Sequence, residues 1–222
     1  MKILIVSATT FEIQPLFGLL NLNINSGNNL FSAKYNQLNV DVLITGVGMV
    51  ATTYHTTKAL LKTKYDIAIN AGICGSCNNN LTIGSVVNIY EDCFSELGAE
   101  DGSDFLTLQE LNLPGNTIIT NTHRFDNEVL EMLPKVNGIT VNTAHGNEAS
   151  INKVFQKFHP ITESMEGAGF MFVCNQEKIP YVQIRAVSNM VEKRNKNNWN
   201  IPLAITNLNE KIREILSEYK AV

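Results

Sequence analysis

Three side chains have types and settings that suit chemistry on a nucleoside: Glu12, Glu166 and Asn189. Breaking an N-ribosidic bond passes through an oxocarbenium-like cation. A site therefore needs a base for the nucleophile, a ligand for the sugar and a way to stabilise the departing purine. Glu166 lies in the small, apolar stretch Ser164 to Phe170, where an ionised carboxylate is costly to bury unless donors meet it. A ribose 2′,3′-diol brings two donors, although a helix-start Glu paired with Arg185 satisfies the charge as well. Asn189 follows the apolar run Tyr181 to Ser188. An amide has no acidic proton to give, but its carbonyl accepts from a protonated purine N7 while its NH₂ donates to O6. That suits a 6-oxopurine better than adenine, whose N6 presents donors; otherwise Asn189 is a turn residue satisfying the backbone. Glu12 follows the first apolar run, where an acid either activates a nucleophile or favours a helix N-terminus through its dipole.

Just past Asn189, the segment Glu192 to Trp199 gathers Lys193, Arg194 and Lys196 beside the only Trp of the chain. Such a loop can pair with a carboxylate and cover a ring, or it is a solvated stretch before the last helix. Cys74-Gly75-Ser76-Cys77 has redox-pair spacing but lies in a Gly-rich turn and does not open a helix after the first strand, so no redox role is expected. The four His (His55, His123, His145, His159) are scattered and complete no zinc set. Gly46 and Gly48 are half of a dinucleotide fingerprint without its third Gly or acidic partner. Neither a metal nor a cofactor is expected.

The elements that must hold these residues follow from periodicity. Short apolar strands alternate with helical stretches, which predicts an α/β fold with helices on both faces of a central sheet. Expected strands are Lys2 to Ser7, Leu38 to Thr45, Tyr65 to Ala71, Ser85 to Cys93, Thr117 to Thr120, Gly138 to Asn142 and Tyr181 to Ser188. Asn25 to Tyr35 is expected to pair antiparallel with Leu38 to Thr45 through a short turn, making the sheet mixed. Expected helices are Thr10 to Leu20, Gly48 to Lys62, Phe125 to Leu133, Glu148 to Phe158, Ser164 to Gln176 and Pro202 to Tyr219. Gly-containing turns at Thr45 to Gly48 and Asn70 to Ile73 fall where α/β proteins usually place a ligand. With 222 residues, 44% hydrophobic and 17% charged, a single domain over 1–222 is expected. A net charge of −4 argues against nucleic acid as a partner. The first twelve residues hold only a six-residue apolar run after one Lys, too short for a signal peptide or membrane span. With four Cys suited to a reducing compartment, the expected location is the cytoplasm, away from membranes.

In order along nearly the whole chain, Phe11-Glu12, TGVGMVATTYHTTKAL, NAGICGSCNNNLTIGSVVNI, SMEGAGFMFVC and QIRAVSN resemble the nucleoside phosphorylase and nucleosidase superfamily, especially the methylthioadenosine/adenosylhomocysteine nucleosidases. Within it, Phe94 to Leu111 and Val191 to Ile205 are similar to futalosine hydrolases, which release hypoxanthine from futalosine in menaquinone synthesis. The resemblance implies a three-layer α/β/α sandwich around a mixed, partly barrel-like sheet, a small-molecule nucleoside substrate, and a homodimer or higher homo-oligomer with helix Gly48 to Lys62 at an interface. It matches Glu12 to the carboxylate that activates water, Glu166 to the ligand of the ribose hydroxyls, and Met165 to a residue packed on the sugar. Asn189, beside Ser188, stands where adenine-specific relatives carry Asp, and Ile73, after Gly72, where related nucleosidases carry Ser. Arg185 joins these as a substrate contact. The loop Thr143 to Asn147 falls where relatives build part of the purine pocket, so His145 lines it or is a surface His. Arg194 or Lys196, with Trp199, is expected to meet the benzoate on the 5′ side of futalosine. Phosphorylases of the superfamily hold phosphate with Arg from the first half of the chain. Here the first Arg is Arg124, so water is the expected nucleophile, with an inosine-type or methylthioadenosine-type nucleosidase, or a phosphorylase using Lys, as alternatives.

Overall fold

The computed structural model describes residues 1–24 and 27–219. In chain order its strands are β1 (Lys2–Ser7), β2 (Leu30–Tyr35), β3 (Leu38–Ile44), β4 (Ile67–Ser76), β5 (Val86–Phe94), β6 (Gly98–Asp101), β7 (Asp104–Thr107), β8 (Ile118–Thr120), β9 (Lys135–Thr140), β10 (Thr162–Ser164) and β11 (Tyr181–Met190). The helices are α1 (Gln14–Leu19), α2 (Met49–Lys62), α3 (Glu128–Met132), α4 (Glu148–Phe158), α5 (Gly167–Gln176) and α6 (Ile201–Glu218).

β1 lies parallel between β3 and β4, with Ile3 opposite both Val40 and Ile67. Its apolar residues are buried on both sides because helices cover both faces. Ile3 and Ile5 pack in one cluster with Leu16 of α1 and Leu208 and Ile212 of α6. Leu4 and Val6 point the other way, into a cluster with Leu60 of α2 and Phe170 and Met171 of α5. The strand period of two thus separates the two helical layers. β2 pairs antiparallel with β3, and β5 antiparallel with β11, so the sheet is mixed.

β4 does more than fill the centre. It pairs parallel with β11 and, through Gly75 and Ser76, antiparallel with β10. β10 pairs with β9, β9 with β5 and β5 with β11, so these five strands close on themselves while β1, β3 and β2 form an open wing. The architecture is the three-layer sandwich with a partly barrel-like sheet that the family resemblance implies.

Several boundaries differ from expectation, each for a local reason. The strand expected to stop at Ala71 runs to Ser76, so Asn70 to Ile73 and Cys74 to Ser76 are strand, not turn; their backbone groups are claimed by β11 and β10. The helix expected from Ser164 begins at Gly167, because Thr162–Ser164 closes the barrel. The helix expected from Thr10 begins at Gln14, with Pro15 in its first turn, and Glu12 sits in the preceding turn. The strand expected from Asn25 begins at Leu30, and Asn25 itself lies outside the described residues. The β6–β7 hairpin is an addition, in a segment too polar to read as strand. No helix among the described residues is long and apolar enough to cross a membrane.

Candidate active site

The ends of β1, β3, β4 and β11, parallel strands of the sheet, converge on one end of the molecule, the usual ligand side of an α/β sheet. Glu12, in the turn after β1, is buried and fully engaged. Its Oε2 accepts from the Thr9 N–H at 3.0 Å and the Thr9 hydroxyl at 2.9 Å, while Oε1 accepts from the Ile73 N–H at 3.1 Å. Burial, then the nearby charge of Glu166, push its pKa above the ordinary range, opposed by the Ile73 N–H, Arg185 and Thr9. A carboxylate raised in this way is a better proton acceptor near neutrality.

Glu166 is the residue on which α5 starts, where the helix dipole favours an anion. Its Oε1 accepts from the Gly48 N–H at 3.0 Å, and its Oε2 lies 3.5 Å from Arg185 Nη1. Gly48 presents that N–H from the turn after β3, with a φ of +96° that favours glycine.

Arg185 is only 1% exposed, on β11 inside the barrel. Its Nε donates to Gln183 Oε1 at 3.1 Å and its Nη2 to Asn70 Oδ1 at 2.6 Å. Gln183 in turn donates to Asp92 Oδ2 at 2.9 Å, and Asp92 Oδ1 accepts from Thr140 at 3.0 Å. Burial raises Asp92 from an ordinary 3.8 to about 6, opposed chiefly by Gln183 and Thr140. The buried guanidinium thus lies against Glu166 and, through Gln183, is linked to Asp92. Gly72 makes room for it: a Cβ there would lie 2.2 Å from Arg185 Nη1 and 3.0 Å from Glu12 Oε1.

Asn189 is aimed by an irregularity. Along β11, Val187 faces Cys74 and Asn189 faces the next residue, Gly75, so Ser188 is an inserted bulge residue. Bulges of this kind re-aim side chains beside active sites. The Ser188 hydroxyl lies 2.8 Å from Asn189 Oδ1 and 3.1 Å from the Cys74 carbonyl, and Asn189 Nδ2 donates to the Met190 carbonyl at 2.9 Å. Ser188, 2% exposed, therefore steadies Asn189.

Asn189 lines a cavity of about 90 Å³ together with Gly75, His145, Glu163, Met165 and Arg194. Ligand sites are usually roughly 300–1,000 Å³, so the cavity takes in only part of such a site. The polar loop forms one wall: Arg194 sits over the Trp199 ring, 5.3 Å from its centroid, and Trp199 also lines the cavity. The structure thus sets Arg194 and Trp199 beside Asn189, while Lys196 lies exposed in a short 3₁₀ turn. Glu163, Asp92, Gln183 and the Gly48 N–H are site groups that sequence reasoning missed. The signal for Glu163 was a second acid just before Met165, and for Asp92 an acid within the run of β5. Cys74 is buried and its thiol is pushed up to about 12, which leaves it inert.

The chain matches the phosphorylase superfamily model over residues 2–219 and belongs to that family. It is 31% identical over 180 residues to a futalosine hydrolase from Acidothermus cellulolyticus, covering 76% of this chain and 71% of the relative. It is 25% identical over 237 residues to a 5′-methylthioadenosine/S-adenosylhomocysteine nucleosidase from Glaesserella parasuis, covering 99% and 100% of the two chains. The nucleosidase of the same name from Colwellia psychrerythraea, solved with adenine, superposes with a TM-score of 0.83 at 20% identity over 98% of this chain and 95% of that one. Both curated relatives are nucleosidases, so the enzyme class is N-glycosyl hydrolase acting on a small molecule.

Proposed function

We propose that the protein hydrolyses the N-ribosidic bond of futalosine, releasing hypoxanthine and dehypoxanthine futalosine in menaquinone synthesis. The observation that carries this reading is Asn189, a carboxamide held by Ser188 and the β11 bulge in the cavity next to the sugar-side group Met165. In this reading Glu12 takes a proton from water as the oxygen bonds to C1′. The C1′–N9 electron pair leaves with the purine, whose N7 takes a proton from solvent water, the N7–H being received by the Asn189 carbonyl, and Glu12 returns its proton to solvent. Glu166 accepts from the ribose hydroxyls, replacing part of its contact with Arg185, and Met165 packs on the sugar. Gly72 and Ile73 frame the water side. Arg194 or Lys196, with Trp199, meets the benzoate. The step balances with water and nucleoside alone.

The full-length likeness to a methylthioadenosine nucleosidase favours a second reading, cleavage of a 5′-thio-adenosine. Chromatographic detection of the free base from futalosine, inosine and methylthioadenosine, with and without phosphate, separates the two. Phosphate-independent release of hypoxanthine from futalosine is expected. Strong methylthioadenosine cleavage would overturn the 6-oxopurine assignment, and a phosphate requirement would make the enzyme a phosphorylase.

A homo-oligomer and a cytoplasmic location complete the proposal. Val50 and Tyr54 of α2, with Leu97 and Phe172, leave a connected apolar groove exposed, of the kind that marks an interface. Sedimentation velocity at micromolar concentration is expected to give a dimer or larger species; a monomer would refute the interface.

A further inference from the structure

The cavity that receives Asn189 holds a second polar pair, His145 and Glu163. Glu163, on β10 and 6% exposed, is a buried acid met on both oxygens by one residue. The His145 N–H donates to its Oε1 at 2.8 Å, and the His145 ring hydrogen-bonds its Oε2 through Nδ1. A carboxylate can only accept there, so Nδ1 carries a proton and Nε2 is the remaining polar atom of the ring.

Resting on the reading of a 6-oxopurine substrate, we propose that His145 is a specificity-determining residue, gripped by Glu163, whose Nε2–H donates to the exocyclic oxygen of the purine. Asn189 and His145 would then hold the base between them, and Glu163 is a positioning residue. The Glu163 hydrogen bond, the largest influence, raises the pKa of His145 against the opposing effect of burial. Glu163 and Glu96 act on the ring, and Glu192 and Arg194 reach the cavity from the loop. The charge state decides selectivity. An imidazolium Nε2–H suits the O6 of hypoxanthine, whereas a neutral ring protonated at Nδ1 would offer a lone pair and favour a 6-amino group.

The test compares kcat/KM on futalosine and on its 6-amino counterpart, which differ at one position of the base. His145→Ala is expected to lower the 6-oxo to 6-amino ratio by roughly 10- to 100-fold, the range for a hydrogen bond to a charged group. Because His145→Ala leaves Glu163 buried without its partner, the double variant His145→Ala/Glu163→Gln serves as the folded control and is expected to give the same ratio. Glu163→Gln has one acceptor where Glu163 has two; with its Oε1 on the His145 N–H, its NH₂ donates to an unprotonated Nδ1, so the neutral ring carries its proton on Nε2 and the discrimination is expected to persist to higher pH than in the wild type, a change that mere packing would not produce. A wild type that prefers the 6-oxo substrate, with folded variants that keep its ratio, would overturn this inference alone. A wild type that prefers the 6-amino substrate would overturn both the inference and the reading on which it rests.

Discussion

At the scale of single residues, the site pairs two carboxylates with one buried guanidinium, and their unequal surroundings divide the work. Glu12 is raised by burial and by the charge of Glu166, and in the role proposed for it the carboxyl is ionised when it takes a proton from water. Activity should therefore fall as pH drops through its raised pKa, placing the acidic limb above the roughly 4.3 of an ordinary Glu. Glu12→Gln is expected to lower kcat by about 10²- to 10⁴-fold and to abolish that limb in a pH–rate profile; an unchanged limb would assign it to another group. Asn189→Asp replaces a donor–acceptor pair with an acceptor. The ratio of futalosine to methylthioadenosine turnover is expected to fall by about tenfold or more, measured as released base. Glu12, Glu166 and Asn189 were legible in the sequence because each is polar within or beside an apolar run. Glu163 was not, since its partner His145 is eighteen positions away and reaches it only through the β9–β10 pairing.

Among the elements, β4 carries the most constraint. It borders the wing, closes the barrel and lends the Ile73 N–H to Glu12. Gly72→Ala would drive a Cβ to 2.2 Å from Arg185 Nη1. The expected result is a loss of about 100-fold in kcat in a protein whose circular dichroism is unchanged; wild-type turnover would mean that Arg185 is free to move. At the start of α5, a Cβ on Gly167 would lie 2.0 Å from Gln183 Oε1 and 2.2 Å from Asp92 Oδ2. Gly167→Ala is therefore expected to destabilise the fold by about 1–3 kcal/mol, read from the urea midpoint. Strand β1 and helix α4 were predicted with their observed bounds because apolar period and capping residues agree there, Asn147 accepting from the N–H groups of Ala149 and Ser150. β10 escaped notice because three residues carry no period, and β4 was cut short because glycines that read as a turn are spaces for Arg185 and Val191.

For the whole molecule, the closed barrel keeps a polar interior, and that has a consequence for stability. Asp92 is raised to about 6 in the folded state, so the folded protein binds more protons than the unfolded chain between about pH 4 and 6. By linkage, its contribution to stability is greatest below the unfolded pKa and is lost as pH rises through the folded one, a change on the order of 3 kcal/mol. Comparing urea midpoints of wild type and Asp92→Asn from pH 4 to 7 is expected to give a smaller decline in the variant; parallel curves would place the ionisation elsewhere. By itself the sequence determined the α/β class, the two helical layers, the mixed sheet and the identity of the polar groups at the strand ends. These depend on local period and on residue chemistry, which a chain states directly. Only the tertiary structure decided that five strands close into a barrel, that Ser188 is a bulge aiming Asn189, and that His145 grips Glu163. Each of these depends on pairing between distant segments, where one residue of register changes which face a side chain takes.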